Sequence, residues 1–167
     1  MTYSRKPVFT TLTADECHVV LGRNHVGRVA FLNGTVVDIE PVHYTATDAW
    51  LFIRSAKGTK LEAFAHSPYV AFEVDEIDAP FDWRSVVAHG TIYVMSESGV
   101  RIDRVEFERA LRALRSFIPQ TLTRGDPTPF RRTIYGVHID RLTGRRAKQR
   151  NKLSKAPARR PHTSNEL

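Results

Sequence analysis

Cysteine is nearly missing: Cys17 stands alone in 167 residues. It can close no internal disulfide, and without a second thiolate there is no cysteine-built zinc cluster. No apolar run approaches the length needed to span a bilayer, and the opening stretch MTYSRKPVFTTLT lacks the apolar centre of a signal peptide. A cytoplasmic protein with no membrane partner is the expectation. Both common glycine-rich phosphate loops, His-Glu-x-x-His and Gly-x-Ser-x-Gly are also missing. Glu62 and His66 stand four apart, but no third ligand lies nearby, so they read as a surface pair and no metal site is expected.

Cations are plentiful but unevenly spread. The net charge is +7, and residues 141–167 hold nine lysines and arginines against one acid, a balance of +8 that leaves the rest at −1. A nearly neutral body argues against a basic nucleic-acid-binding surface. Only weak, salt-sensitive contacts of the tail with polyanions are left open. The reading is one domain over residues 1–146 and a basic tail over 147–167, with disorder expected after Gly144 because apolar residues almost vanish there.

Thr13 and Glu16 form a capping box that opens a helix near residues 14–22, with Cys17, Val20 and Leu21 on its apolar side. VGRVAFL and TVVDIEPVHY read as strands joined by a tight turn at Asn33-Gly34. WLFIRS is a third strand and KLEAFAH a short helix with a second box, Thr59 with Glu62. YVAFEVDE is a strand, IDAPFD a loop, and WRSVVAHGTIYVMS a long strand with Gly90 as a bulge. An amphipathic helix follows over 101–118, then a proline-containing loop and a last strand, FRRTIYGVHID. Hairpin-linked strands with few helices imply a mainly β (α+β) fold, an antiparallel barrel with flanking helices.

The stretch RSAKGTKLEAF puts Arg54, Lys57 and Lys60 around a helix start, where the peptide dipoles are already positive. Cations there await an anion, and with the backbone N–H groups and the Thr59 hydroxyl they suit a phosphate. The bland alternative is a capped helix whose cations reach into water.

The surroundings favour the phosphate. Asp15-Glu16-Cys17, Val26 to Phe31, Pro41 to Tyr44, Arg54 to Leu61, Val70 to Asp75, Trp83 to Gly90 and Thr143 to Ala147 occur in an order and spacing that resembles the pyridoxamine 5'-phosphate oxidase-like split-barrel proteins. Within these the chain is most similar to the branch related to nitroimidazole-resistance proteins. The resemblance implies a six-stranded antiparallel split β-barrel that binds FMN, as a homodimer with the cofactor at the subunit interface. It implies that Arg54 and Lys60 bind the FMN phosphate, assisted by Lys57, Gly58 and Thr59. Pro41, Val42, His43 and Tyr44 would run beside the isoalloxazine, with Ile53, Arg54 and Ser55 on the adjoining strand, and Trp83 and Ser85 would come from the fifth strand, of the same or the other subunit. Many relatives carry Asn where this chain has His43, the one catalytic candidate, able to donate a proton or to hydrogen-bond a substrate carbonyl.

The implied function is an FMN-dependent oxidoreductase acting on a small planar substrate, with the hydride chemistry residing in the flavin. Its rivals are a reductase of the same fold using a deazaflavin coenzyme and a non-enzymatic flavin-binding sensor. A haem-binding relative, needing an axial ligand such as His43 or His89, has no other support in the sequence.

Overall fold

The computed structural model describes residues 6–47, 49–56, 60–96 and 101–149. The elements in chain order are β1 (Pro7–Thr11), α1 (Ala14–Arg23), β2 (Val26–Asn33), β3 (Val36–Ala46), β4 (Trp50–Ser55), α2 (Lys60–His66), β5 (Tyr69–Ala79), β6 (Asp82–Met95), α3 (Arg101–Phe117) and β7 (Thr133–Gln149). Every strand pairing is antiparallel, in the order β1-β7-β4-β3-β2-β5-β6, and a further β7–β6 pairing closes β2 to β7 into a ring of six. This is the expected split barrel, with β1 added at the edge.

β7 is what closes it. Its first half lies between β4 and β6, and its second half lies between β6 and β1. The expectation of disorder after Gly144 is therefore corrected for residues 145–149. These mostly polar residues are strand because β6 and β1 pair both edges of residues 145–147 and β1 pairs Lys148 and Gln149, so the hydrogen-bond ladder holds what side chains alone would not. Ala147, fully buried, sits opposite Phe9 on one side and Trp83 on the other. Residues 150–167 lie outside the described residues.

Two turns also differ from expectation. IDAPFD is no loop: β5 continues to Ala79, β6 starts at Asp82, and only Pro80 and Phe81 turn, with a register shift between Ile77 and Ala79. In the β2–β3 hairpin Asn33 is still paired, with Val36, so Gly34 and Thr35 are the turn. Gly34 has φ of 63°, and glycine at the first turn position suits the left-handed conformation such a hairpin needs. Gly90 marks the expected bulge, where the β6–β7 register shifts between His89 and Gly90. A Cβ at Gly90 would lie 2.0 Å from the His138 carbonyl oxygen, so no larger residue fits.

Alternation along the strands points Val29, Phe31, Val42, Tyr44, Leu51, Ile53, Phe72, Val74, Val86 and Val137 into the barrel. α1, opened by the Thr13–Glu16 capping box, adds Cys17, Val20 and Leu21 to this core, and α2 adds Ala63 and Phe64. α3 instead covers the outside of the wall, packing Phe107, Ala110 and Leu114 on Phe52, Met95 and Ile134. The Thr59 half of the second capping box is outside the described residues.

Candidate functional site

β4 alternates in and out, and that alternation separates Arg54 from Ser55, the partner of Lys60, in the stretch RSAKGTKL. Ser55 faces inward, lining a void of about 10 Å³ with Lys60, Val29, Val42 and Tyr135. The Lys60 Nζ donates to Ser55 Oγ at 3.1 Å and pairs with the Glu40 carboxylate. Lys60 remains partly open to solvent.

Arg54 points the other way, beneath the segment that joins α3 to β7. Only 4% exposed, it pairs with Asp126 (Nη2 to Oδ2 2.6 Å, Nη1 to Oδ1 3.3 Å) and donates to the Arg131 carbonyl oxygen from Nε at 3.0 Å and from Nη2 at 2.7 Å. Asp126 also accepts from the backbone N–H groups of Leu122 (2.8 Å) and Thr128 (2.9 Å). Burial works against the Asp126 charge, but the Arg54 guanidinium and those N–H groups outweigh it and hold its carboxyl down at about 2. Leu122 has φ of 55°, a left-handed conformation costly for a non-glycine residue, held where its N–H meets Asp126. Arg54 is thus a strut that fastens the connection 118–132 to the barrel wall. Arg54 and Lys60, expected to share one phosphate, have different partners here: Asp126 and the Arg131 carbonyl oxygen hold Arg54, and Ser55 and Glu40 hold Lys60. Lys57, Gly58 and Thr59 lie outside the described residues.

The four residues Pro41 to Tyr44 likewise divide by face. Val42 and Tyr44 are core, and the Tyr44 hydroxyl donates to the Leu21 carbonyl oxygen at 2.8 Å, tying β3 to α1. Burial, with the Glu76 charge second, pushes the Tyr44 phenol well above its ordinary range. Ile53 is core as well, 2% exposed. Val42 and Ile53 meet Lys60 and Ser55 at the small void, whereas the Tyr44 side chain lies wholly in the core. Pro41 and His43 face outward, opposite Arg28 and Val26 of β2.

Trp83 and Ser85 line a groove of about 390 Å³ with Thr11, Val87, Thr143 and Arg145. Trp83 packs edgewise near Phe9, with ring centroids 6.1 Å apart, and Ser85 Oγ donates to Glu73 at 3.2 Å. β6 is two strands from β4 through β7, but Ser55 pairs with Thr133 and Ser85 with Arg145, twelve residues further along β7, roughly 40 Å of strand. One chain therefore does not bring Trp83 and Ser85 to Lys60 and Ser55.

A cluster that the sequence reading passes over surrounds His43. The His25 ring stacks on Phe117, the last residue of α3, with centroids 4.0 Å apart and planes at 18°. His43 meets the same ring edgewise at 6.1 Å. Burial first, then the positive charges of Arg131 and His25, lower the His43 pKa and favour its neutral form. Only folding joins these residues, which come from four separate parts of the chain.

A closed six-stranded antiparallel barrel with one helix on its outer wall defines the class: a split barrel. Residues 13–146 match the pyridoxamine 5'-phosphate oxidase family, and the chain belongs to that family. Among solved structures it is similar to an FAD-binding protein from Mesorhizobium loti, with 27% identity over 84% of this chain and 99% of that one and a TM-score of 0.67. It shares its fold with an FAD-binding protein from Mycobacterium smegmatis (22% identity, 83% and 98% covered, TM-score 0.56). A candidate 5-nitroimidazole antibiotic resistance protein from Bacteroides thetaiotaomicron also has this fold (14% identity, 87% and 91% covered, TM-score 0.63). No curated protein matches the sequence. No helix among the described residues is long and apolar enough to cross a membrane.

Proposed function

We propose that the protein binds a flavin, FMN in the first instance, and acts as an oxidoreductase on a small planar substrate. The observation that carries this reading is Lys60, whose ammonium is held by the Ser55 hydroxyl at the edge of the barrel interior. A flavin fits the residues present. Its phosphate needs a cation and a hydroxyl donor, which Lys60 and Ser55 supply once the phosphate takes the place of the Glu40 carboxylate. Its ring needs a flat wall, which the outward face of β3 at Pro41 and His43 offers.

A bound flavin would supply the hydride and electron chemistry. The protein's part is to hold the phosphate through Lys60, to orient the ring edge through the β3 backbone, and to present His43 as a neutral hydrogen-bonding group. Membership of the family and the 27% identity to an FAD-binding protein support the flavin.

The same reading makes the protein a homodimer. Val37, Ile39, Leu32 and Val26 are 42–65% exposed along the outer face of the β2–β3 hairpin, an apolar stripe that a second copy would cover. The second copy would bring Trp83 and Ser85 to the cofactor that Lys60 anchors in the first. A cytoplasmic location belongs to the same proposal.

The test is an absorbance spectrum after gel filtration of protein mixed in turn with FMN, FAD and a deazaflavin coenzyme. A co-eluting FMN band, lost in Lys60→Ala with the fold intact, is the expected result. Equal retention in Lys60→Ala, or retention of the deazaflavin alone, would overturn it.

A further inference from the structure

Among the described residues, the cluster around Phe117 sets three nitrogen groups together without a carboxylate partner. Among the described residues no hydrogen bond or ion pair engages the Arg131 guanidinium or the His43 ring, and Arg131 lies only over the Phe130 ring, 5.8 Å from its centroid. The His25 Nδ1 lies 3.3 Å from the Tyr44 carbonyl oxygen. A carbonyl only accepts, so Nδ1 carries the hydrogen and Nε2 is left uncommitted. Arg131 and His25 are close enough to His43 to depress its protonation, so the field at this point is positive. The nearest acid along this connection, Asp126, is already spent on Arg54. Phe117 is 36% exposed and Phe130 65%, which adds two open aromatic rings to the three nitrogen groups.

An unpaired guanidinium beside open rings suits a flat anion: its charge meets Arg131, the histidines donate to it once protonated, and its ring stacks among the phenylalanines. We propose that His25, His43, Phe117 and Arg131 form a subsite for an aromatic carboxylate or similar anionic ring, the substrate class of this protein. The inference rests on the flavin reading in one respect: His43 faces outward beside Pro41, on the wall assigned to the flavin, so a ring held here lies next to the cofactor. The groups facing His43 are Arg131 and His25, both cationic when protonated, and the neutral Phe117. An anion that relieves their repulsion favours protonated His43, and binding therefore strengthens as pH falls.

The experiment is a titration of the isotopically labelled full-length protein with 4-nitrobenzoate, with neutral nitrobenzene as control, read by NMR at the His25 and His43 ring signals. It is run with and without FMN at pH 6 and pH 8. Expected are a Kd at least tenfold tighter for the carboxylate than for nitrobenzene, tightening at pH 6, and at least tenfold weakening in Arg131→Gln and Phe117→Ala. Substitution at Arg131 leaves the backbone carbonyl that Arg54 grips, so the fold is kept, and His25→Gln provides an independent second variant. If FMN is retained but the carboxylate binds no better than nitrobenzene, or all three variants bind it as the parent does, the subsite is overturned and the flavin reading stands. If the carboxylate binds as expected while no flavin is retained, the subsite stands and the flavin reading falls.

Discussion

Replacing Asp126 with alanine removes the acceptor for Arg54 and for two backbone N–H groups at once. The pair is buried, with side chains 4% and 2% exposed, so the cationic guanidinium is left in the wall with only the carbonyl oxygens of Thr128 and Arg131 and the Thr128 hydroxyl. Breaking a buried pair from one side costs about 3–5 kcal/mol. For a domain of this size, at roughly 2–4 °C per kcal/mol, that is a fall in Tm of about 6–20 °C. Urea unfolding followed by circular dichroism measures it. Arg54→Met with Asp126→Leu removes both charges and should cost less than the sum of the single changes, with a coupling of about 1–3 kcal/mol. Acid supplies a second reading of the same contact. The Asp126 carboxyl is lowered from 3.8 to about 2, so it contributes about 2 kcal/mol that is fully present above pH 4 and lost as pH falls from about 4 to 2. In Asp126→Asn that part of the acid sensitivity disappears. Single substitutions that cost under about 1 kcal/mol would refute the strut. An Arg54→Met protein with unchanged Tm and lost flavin would return Arg54 to the phosphate.

Gly90→Ala forces a Cβ to within 2.0 Å of the His138 carbonyl oxygen, backbone that cannot yield cheaply, and should cost about 2–3 kcal/mol by thermal unfolding. Stability unchanged within 0.5 kcal/mol would mean that the bulge can relax. Ile39→Glu puts a charge in the middle of the apolar stripe and should turn the proposed homodimer into a monomer on gel filtration, with the thermal transition of the barrel kept.

The fold was legible where local chemistry is strong. Thr13 and Glu16 opened α1, Gly90 declared its bulge, and the alternation of YVAFEVD named β5. Legibility failed where partners decide. Residues 145–149 carry little apolar character and are strand because β1 pairs all of them and β6 pairs 145–147, and β1 itself, PVFTT, is an edge strand too short to announce itself. At the site, RSAKGTKL drew attention to the right place but could not assign its faces. Arg54 and Ser55 are consecutive and so turn to opposite sides of β4, and nothing in the local sequence says that Asp126, 72 positions on, takes the arginine. The Phe117 cluster was out of reach for the same reason.

Closure by β7 also sets the order in which this chain can mature on the ribosome. Every earlier strand of the ring can emerge and pair with its neighbours, yet the open edges of β4 and β6 wait for the strand that ends at Gln149, and β1, which emerges first, waits longest of all. Pro7 meets Gln149 across almost the whole described chain, a contact that carries a high loop-closure entropy and slows folding. Through most of its synthesis the nascent protein is an open sheet with exposed edges, the form most prone to pair with a neighbouring chain, and the final strand ends that hazard.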